Sequence, residues 1–97
     1  MAKGRIIAQV DVTDPEEDAR YAARTPDCVA KHGGRFLVRA GRFAALEGGA
    51  RARRVVMEFP DDAAARAFYD DPAYRAIRPH ARTGSTRELL VIEGVEP

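Results

Sequence analysis

The chain has 97 residues, enough for one compact domain spanning 1–97 and too few for two. Apolar residues make up 45% and charged ones 32%, a globular balance that excludes a disordered chain. Sixteen basic against fifteen acidic side chains leave a formal charge of +1, which excludes a global field for nucleic acid or an anionic membrane. The longest aliphatic run, Leu89-Leu90-Val91-Ile92, is far short of the roughly 20 residues a membrane helix needs. Gln9 and Asp11 interrupt any signal-peptide core, so the cytoplasm is the expected setting. Cys28 is the only cysteine, which leaves no intrachain disulfide and no multi-cysteine metal site. The chain also lacks Asn and with it any N-glycosylation site.

In chain order, Arg5 to Val12 reads as the first strand. Ile6, Ala8, Val10 and Val12 alternate with Arg5, Gln9 and Asp11, while Ile7 puts an apolar group on the second face. Asp14-Pro15-Glu16-Glu17 is a helix start: an acceptor for the free amides, a proline at the first helical position, and acids at the positive end of the dipole. Ala19, Ala22, Ala23, Pro26, Val29 and Ala30 fall on one face, and Pro26 is expected to kink or divide this helix. Gly33-Gly34 ends it with a left-handed cap. Arg35 to Arg39 and Arg53 to Phe59 read as the second and third strands, joined by a wide connection with Gly41 and Gly48-Gly49. Asp61 caps a second helix through Tyr69, and Asp71-Pro72 restarts a turn carrying Tyr74, Ile77 and Ala81 that Pro79 is expected to limit. Thr86 to Glu93 is the last strand.

Strand-helix-strand twice over most simply gives a ferredoxin-like βαββαβ sandwich. That is an α+β fold with a four-stranded antiparallel sheet, strands one and three central, and two helices on one face. The last strand is apolar in both phases, Leu89 and Val91 against Leu90 and Ile92. The third carries Val55, Met57 and Phe59 against Val56, with Glu58 the one polar member of that phase. Strands apolar on both sides expect cover on both sides, and two helices roof only one. Each large aliphatic group left wet costs roughly 1.5–3 kcal/mol, so a homodimer joined sheet to sheet is expected.

Several stretches together resemble the domain of unknown function 1330 family, small proteins of the dimeric α+β barrel superfamily. They are Gly33-Gly34-Arg35-Phe36-Leu37-Val38-Arg39, Leu46-Glu47-Gly48, Val55-Val56-Met57-Glu58-Phe59-Pro60, Phe68-Tyr69-Asp70-Asp71-Pro72-Ala73-Tyr74 and Val91-Ile92-Glu93-Gly94. The resemblance covers nearly the whole chain and implies a ferredoxin-like protomer and a sheet-to-sheet dimer, but no reaction. Ala40 stands where a second glycine is common, which would stiffen that turn. Arg78 to Arg82 follows the family's arginine-bearing helix end only loosely and takes no role from it.

The residues able to carry chemistry are few. Arg39, Glu58, Gln9 and Asp11 are polar positions in strand patterns that converge wherever they share a face. A guanidinium there grips a carboxylate or enolate with two parallel hydrogen bonds; the structural alternative is an internal Arg39–Glu58 pair. Tyr69 and Tyr74 flank the Asp71-Pro72 break and either donate to a ligand oxygen or simply pack. His32, at a helix end, is expected to complement the dipole, and His80 follows Pro79. Neither histidine has the spacing of a zinc site, and Cys28 reads as a small buried hydrophobe rather than a nucleophile. Six arginines (Arg35, Arg39, Arg42, Arg51, Arg53 and Arg54) crowd the second and third strands and their connection, and Asp11, Asp14, Glu16, Glu17 and Asp18 crowd the first helix start: an anion-binding loop, complementary charge across a dimer, or a solvated surface. No Gly-x-Gly-x-x-Gly or phosphate loop is present, so no cofactor and no metal is expected.

Three functions compete on these residues. The first is small-molecule binding or catalysis in a cleft between helices and sheet, with Arg39 holding an anion and Tyr69, Tyr74 or a histidine handling protons; the resemblance to dimeric α+β barrel proteins implies, by fold analogy alone, a cofactor-independent oxygenase or isomerase kind. The second, nucleic-acid binding, lacks its glycine- and aromatic-rich third strand. The third is a non-catalytic interaction or regulatory module.

Overall fold

The computed structural model describes residues 2–96. Seven elements follow in order: β1 (Gly4–Val12), α1 (Pro15–Lys31), β2 (Arg35–Arg39), β3 (Arg53–Phe59), α2 (Asp62–Asp70), α3 (Pro72–Gly84) and β4 (Ser85–Glu93). The sheet order is β2-β3-β1-β4 and every pairing is antiparallel, with the two expected strands at the centre. The helical layer holds three helices rather than two, because the second crossover breaks at Asp71.

Local chemistry explains each boundary. Asp14 accepts from the amides of Glu16 and Glu17 and starts α1. Gly33, at φ 74°, turns the chain out of the helix in the left-handed region open to glycine. Pro26 does not divide α1, which runs unbroken from Pro15 to Lys31. Its missing amide leaves the Ala22 carbonyl without a helical donor, and Arg39 Nη2 donates to that oxygen at 3.0 Å. Pro79 likewise lies inside α3, which runs on to Gly84. Ile77 and Ala81, on either side of it, are both buried in the core and hold the helix together across it.

One side chain fastens the helical layer. Asp71 ends α2 and caps α3 through the amide of Ala73 at 2.8 Å, while Lys31 Nζ at 2.9 Å and His32 Nε2 at 2.8 Å reach it from the end of α1. Those donors, Lys31 foremost, hold the Asp71 carboxyl well below the usual carboxylate range. A group depressed in the folded state contributes stability that is complete above its unfolded value of about 3.9 and is lost as pH falls toward the folded value. Asp71→Asn keeps a cap acceptor and removes the charge. Urea melts are expected to show it less stable than the parent at pH 7, with the gap narrowing progressively as pH falls below about 3.9; a gap of constant size across that range would show the charge to be irrelevant.

The core is an aromatic chain under α2 and α3. Phe59 meets Phe68 at 5.2 Å between centroids, Phe68 meets Tyr74 at 4.4 Å, and Tyr74 meets Tyr21 at 5.8 Å. Ile6, Met57 and Val29 close it. No described helix is long and apolar enough to cross a membrane.

The other sheet face has no helix over it. One register row crosses all four strands as Val38, Val56, Ile7 and Leu90. Val38 is 41% exposed, Leu90 50%, and Ile92 beside them 51%. Ion pairs border this stripe on both sides: Arg5 and Arg35 on Glu58, and Arg51 across Asp11 and Glu88. The connection 40–52 is exposed except for Arg51, whose clamp ties it to β1 and β4.

Candidate functional site

The strand phase that faces the helices is apolar in its middle and turns basic at one end. Val10 pairs with Arg53 of β3 on one side and Arg87 of β4 on the other, so these two guanidiniums flank it on one face. Arg39 joins them from the neighbouring row, opposite Val55. It does so only because β2 bulges at Leu37: Arg35 pairs with Glu58, but Val38 already pairs with Val56, and the extra residue reverses the facing of everything after it. The expected convergence of Arg39 with Glu58, Gln9 and Asp11 therefore does not occur, and neither does an Arg39–Glu58 pair. Gln9, Asp11 and Glu58 lie on the open face, and Arg39 lies on the helix face.

From α1, Asp18, Tyr21, Ala22 and Thr25 follow helical spacing and face these arginines across a cleft of about 110 Å³. Ala8 and Ala22 bound it from opposite layers, and their small size is what leaves the space. Arg53 Nη1 stands 3.5 Å from Asp18 Oδ2, and Arg39 is occupied by the Ala22 carbonyl and the Phe36 ring, 4.6 Å from its centroid. Of the three guanidiniums lining the cleft, only Arg53 pairs with its one carboxylate, Asp18. Arg87 is the outlier: its guanidinium lies 4.6 Å over the Tyr21 ring, with Nη2 3.5 Å from the Tyr21 hydroxyl. Its Nε and Nη1 are buried with no hydrogen-bond partner. A buried donor left unpaired costs about 1–3 kcal/mol, so an anion reaching Arg87 recovers a cost the fold already bears.

Tyr21 and Tyr74 share a hydrogen bond of 2.6 Å between hydroxyls. Burial, reinforced by that bond and by the neighbouring Tyr21, pushes the Tyr74 hydroxyl far above the ordinary phenol range. It keeps its proton near neutral pH and can offer a hydrogen bond, not act as a base. Tyr69 is half-buried beneath the Arg78 guanidinium, 4.4 Å from its ring centroid. Glu58 is held low by Arg35 and then Arg5, as an ion-pair partner. His80 Nδ1 meets Glu17 Oε2 at 2.6 Å, and His32 serves Asp71 rather than a free dipole end. Cys28 is buried, and burial followed by Asp71 and Asp27 raises its thiol. Among the described residues no three His, Cys, Asp or Glu side chains group as a metal site requires.

Sequence reasoning missed Arg87, Tyr21 and Asp18. For Arg87 a signal existed. The apolar phase Val91-Leu89, continued two residues back, lands on it, just as Phe59-Met57-Val55 continued back lands on Arg53. An arginine in the core phase of two separate strands marks a polar end to the layer.

A four-stranded antiparallel sheet in this order beneath helices on one face is the ferredoxin-like fold. The protein RPA0582 of unknown function from Rhodopseudomonas palustris is similar at TM-score 0.77 and 18% identity, over 99% of this chain and 85% of that one. SnoaB, a cofactor-independent oxygenase from Streptomyces nogalater, is similar at TM-score 0.65 and 19% identity, over 100% and 97%. A dimeric ferredoxin-like protein of unknown function from Thermobifida fusca is similar at TM-score 0.56 and 18% identity, over 96% and 92%. The comparison with curated proteins gives no match. The family model of the domain of unknown function DUF1330 matches residues 3–95, and the chain belongs to that family.

Proposed function

We propose that the cleft between α1 and the sheet binds a small organic molecule carrying an acidic oxygen, a carboxylate, enolate or phenol, and that the protein works as a homodimer joined through its open sheet faces. The observation that carries the first part is Arg87, with two buried N–H groups that no protein atom accepts. A planar guanidinium beside an aromatic ring suits a flat anion. Arg39 at the cleft rim adds a second cation, and the Tyr21 hydroxyl, held by Tyr74, supplies a hydrogen-bonding group. The chemistry this suits is proton transfer or oxygenation without a cofactor, the class to which SnoaB belongs. The uncovered row Val38, Val56, Ile7 and Leu90 supports the dimer. A lone buried thiol, Cys28, is in keeping with the cytoplasm.

Titration with benzoate and with phenol, followed by NMR of arginine side-chain N–H groups, tests the cleft. Saturable shifts at Arg87 and Arg39 are expected, with binding at least tenfold weaker in Arg87→Met and in Arg39→Gln. Binding left intact in Arg87→Met, or no shift at either arginine, would refute the assignment.

A further inference from the structure

A second cavity, of about 260 Å³, lies between α3 and β4 and is bounded by Tyr69, Tyr74, Arg78, Arg82 and Arg87. Arg78 and Arg82 stand one turn apart on α3 and so reach the same side of it. Arg87 comes in from β4. No carboxylate lines this space. Among the described residues none of these three guanidiniums has an ion-pair partner, whereas Arg5, Arg35 and Arg51 on the opposite sheet face are all paired. The Arg78 guanidinium stands 4.4 Å from the Tyr69 centroid and 6.0 Å from that of Tyr74. That contact orients the cation on an aromatic wall and leaves its N–H groups unpaired. Arg87 borders this cavity and the α1 cleft alike, and it brings its two buried, unpartnered N–H groups.

Three like charges around one small space, with no protein anion among them, repel one another and await a counterion. Metal cations are excluded by the same field, and the volume suits a compact group rather than a polymer. We propose that the α3–β4 cavity binds a compact oxyanion, the carboxylate or phosphate of a small molecule, with Arg78 and Arg82 selecting its charge and Arg87 donating hydrogen bonds from the far side. The site adjoins the α1 cleft through Arg87, which the two share, and needs neither Arg39 nor Asp18.

The test titrates the full chain with inorganic phosphate, phenyl phosphate and benzoate while following arginine side-chain N–H resonances. Saturable shifts are expected at Arg78 and Arg82. The affinity read from the Arg78 and Arg82 resonances should fall at least fivefold in Arg78→Gln and in Arg82→Gln and keep its value in Arg39→Gln, whose loss is confined to the resonances of the α1 cleft. A response to the phosphates alone or to benzoate alone supports the site and names its oxyanion. Shifts that never saturate, or an equal loss in the surface control Arg24→Gln/Arg42→Gln, would reduce it to general electrostatic attraction and overturn the proposal. Because the wild-type resonances report the contact directly, a variant that fails to fold leaves the outcome decidable.

Discussion

Leu90→Asp is expected to turn a dimer into a monomer that keeps its fold. Leu90 is half exposed in the isolated chain and ends the apolar row of the open face, so a carboxylate there stays solvated in the monomer. In a dimer with two-fold symmetry the same change occurs twice across the interface. Half of the roughly 1.5–3 kcal/mol that full burial of a leucine supplies is lost per copy, which over two copies amounts to about 10–10²-fold in dimer affinity, before any cost of desolvating the charge. The ion pairs at the two borders of the row strengthen the expectation. Glu58 is bound by Arg5 and Arg35, and Arg51 by Asp11 and Glu88, so the stripe is apolar inside and satisfied at its rim, as an interface is. Sedimentation equilibrium reads the result. A parent chain that is monomeric at every concentration, or a Leu90→Asp chain that stays dimeric, would remove the sheet-to-sheet assembly.

Phe68→Ala is expected to cost about 3–5 kcal/mol of stability. Phe68 is fully buried and is the link between Phe59 and Tyr74, at 5.2 and 4.4 Å. Truncation opens a void among rings that belong to β3, α2 and α3, and rings held by three elements relax little to fill it. Against a total of about 5–15 kcal/mol for a domain, the loss takes a large share. It should lower the melting temperature by more than about 12 °C. Urea unfolding at one fixed protein concentration checks it, since an oligomer's stability depends on concentration. A loss below about 1 kcal/mol would mean that the aromatic chain is not the centre of the core.

The strands were legible almost to the residue because alternation is a local signal, and β3 and β4 stop directly at Pro60 and Gly94. Asp14, Asp61 and Asp71 were legible as caps for the same reason. Pro26 and Pro79 misled, since the rule against proline inside a helix assumes that the freed carbonyl finds no donor and that no packing holds the helix through the break. Arg39, 17 positions away in sequence, supplies the missing donor at the Ala22 carbonyl. The grouping of candidate residues failed at one bulged position, Leu37: period-two counting assigns Arg39 to the face of Glu58, and a single unpaired residue sends it to the other.

What the sequence alone determined was the order of elements, the four-stranded sheet and its two apolar faces, since these follow from residue type and spacing. Only the tertiary structure decided which polar groups meet. It placed Arg87 and Arg53 on either side of Val10, set Tyr21 against Tyr74, and left two N–H groups of Arg87 without an acceptor. Register, bulge and helix packing set those distances jointly, and a change of one residue in any of them exchanges a buried cation for a solvated one.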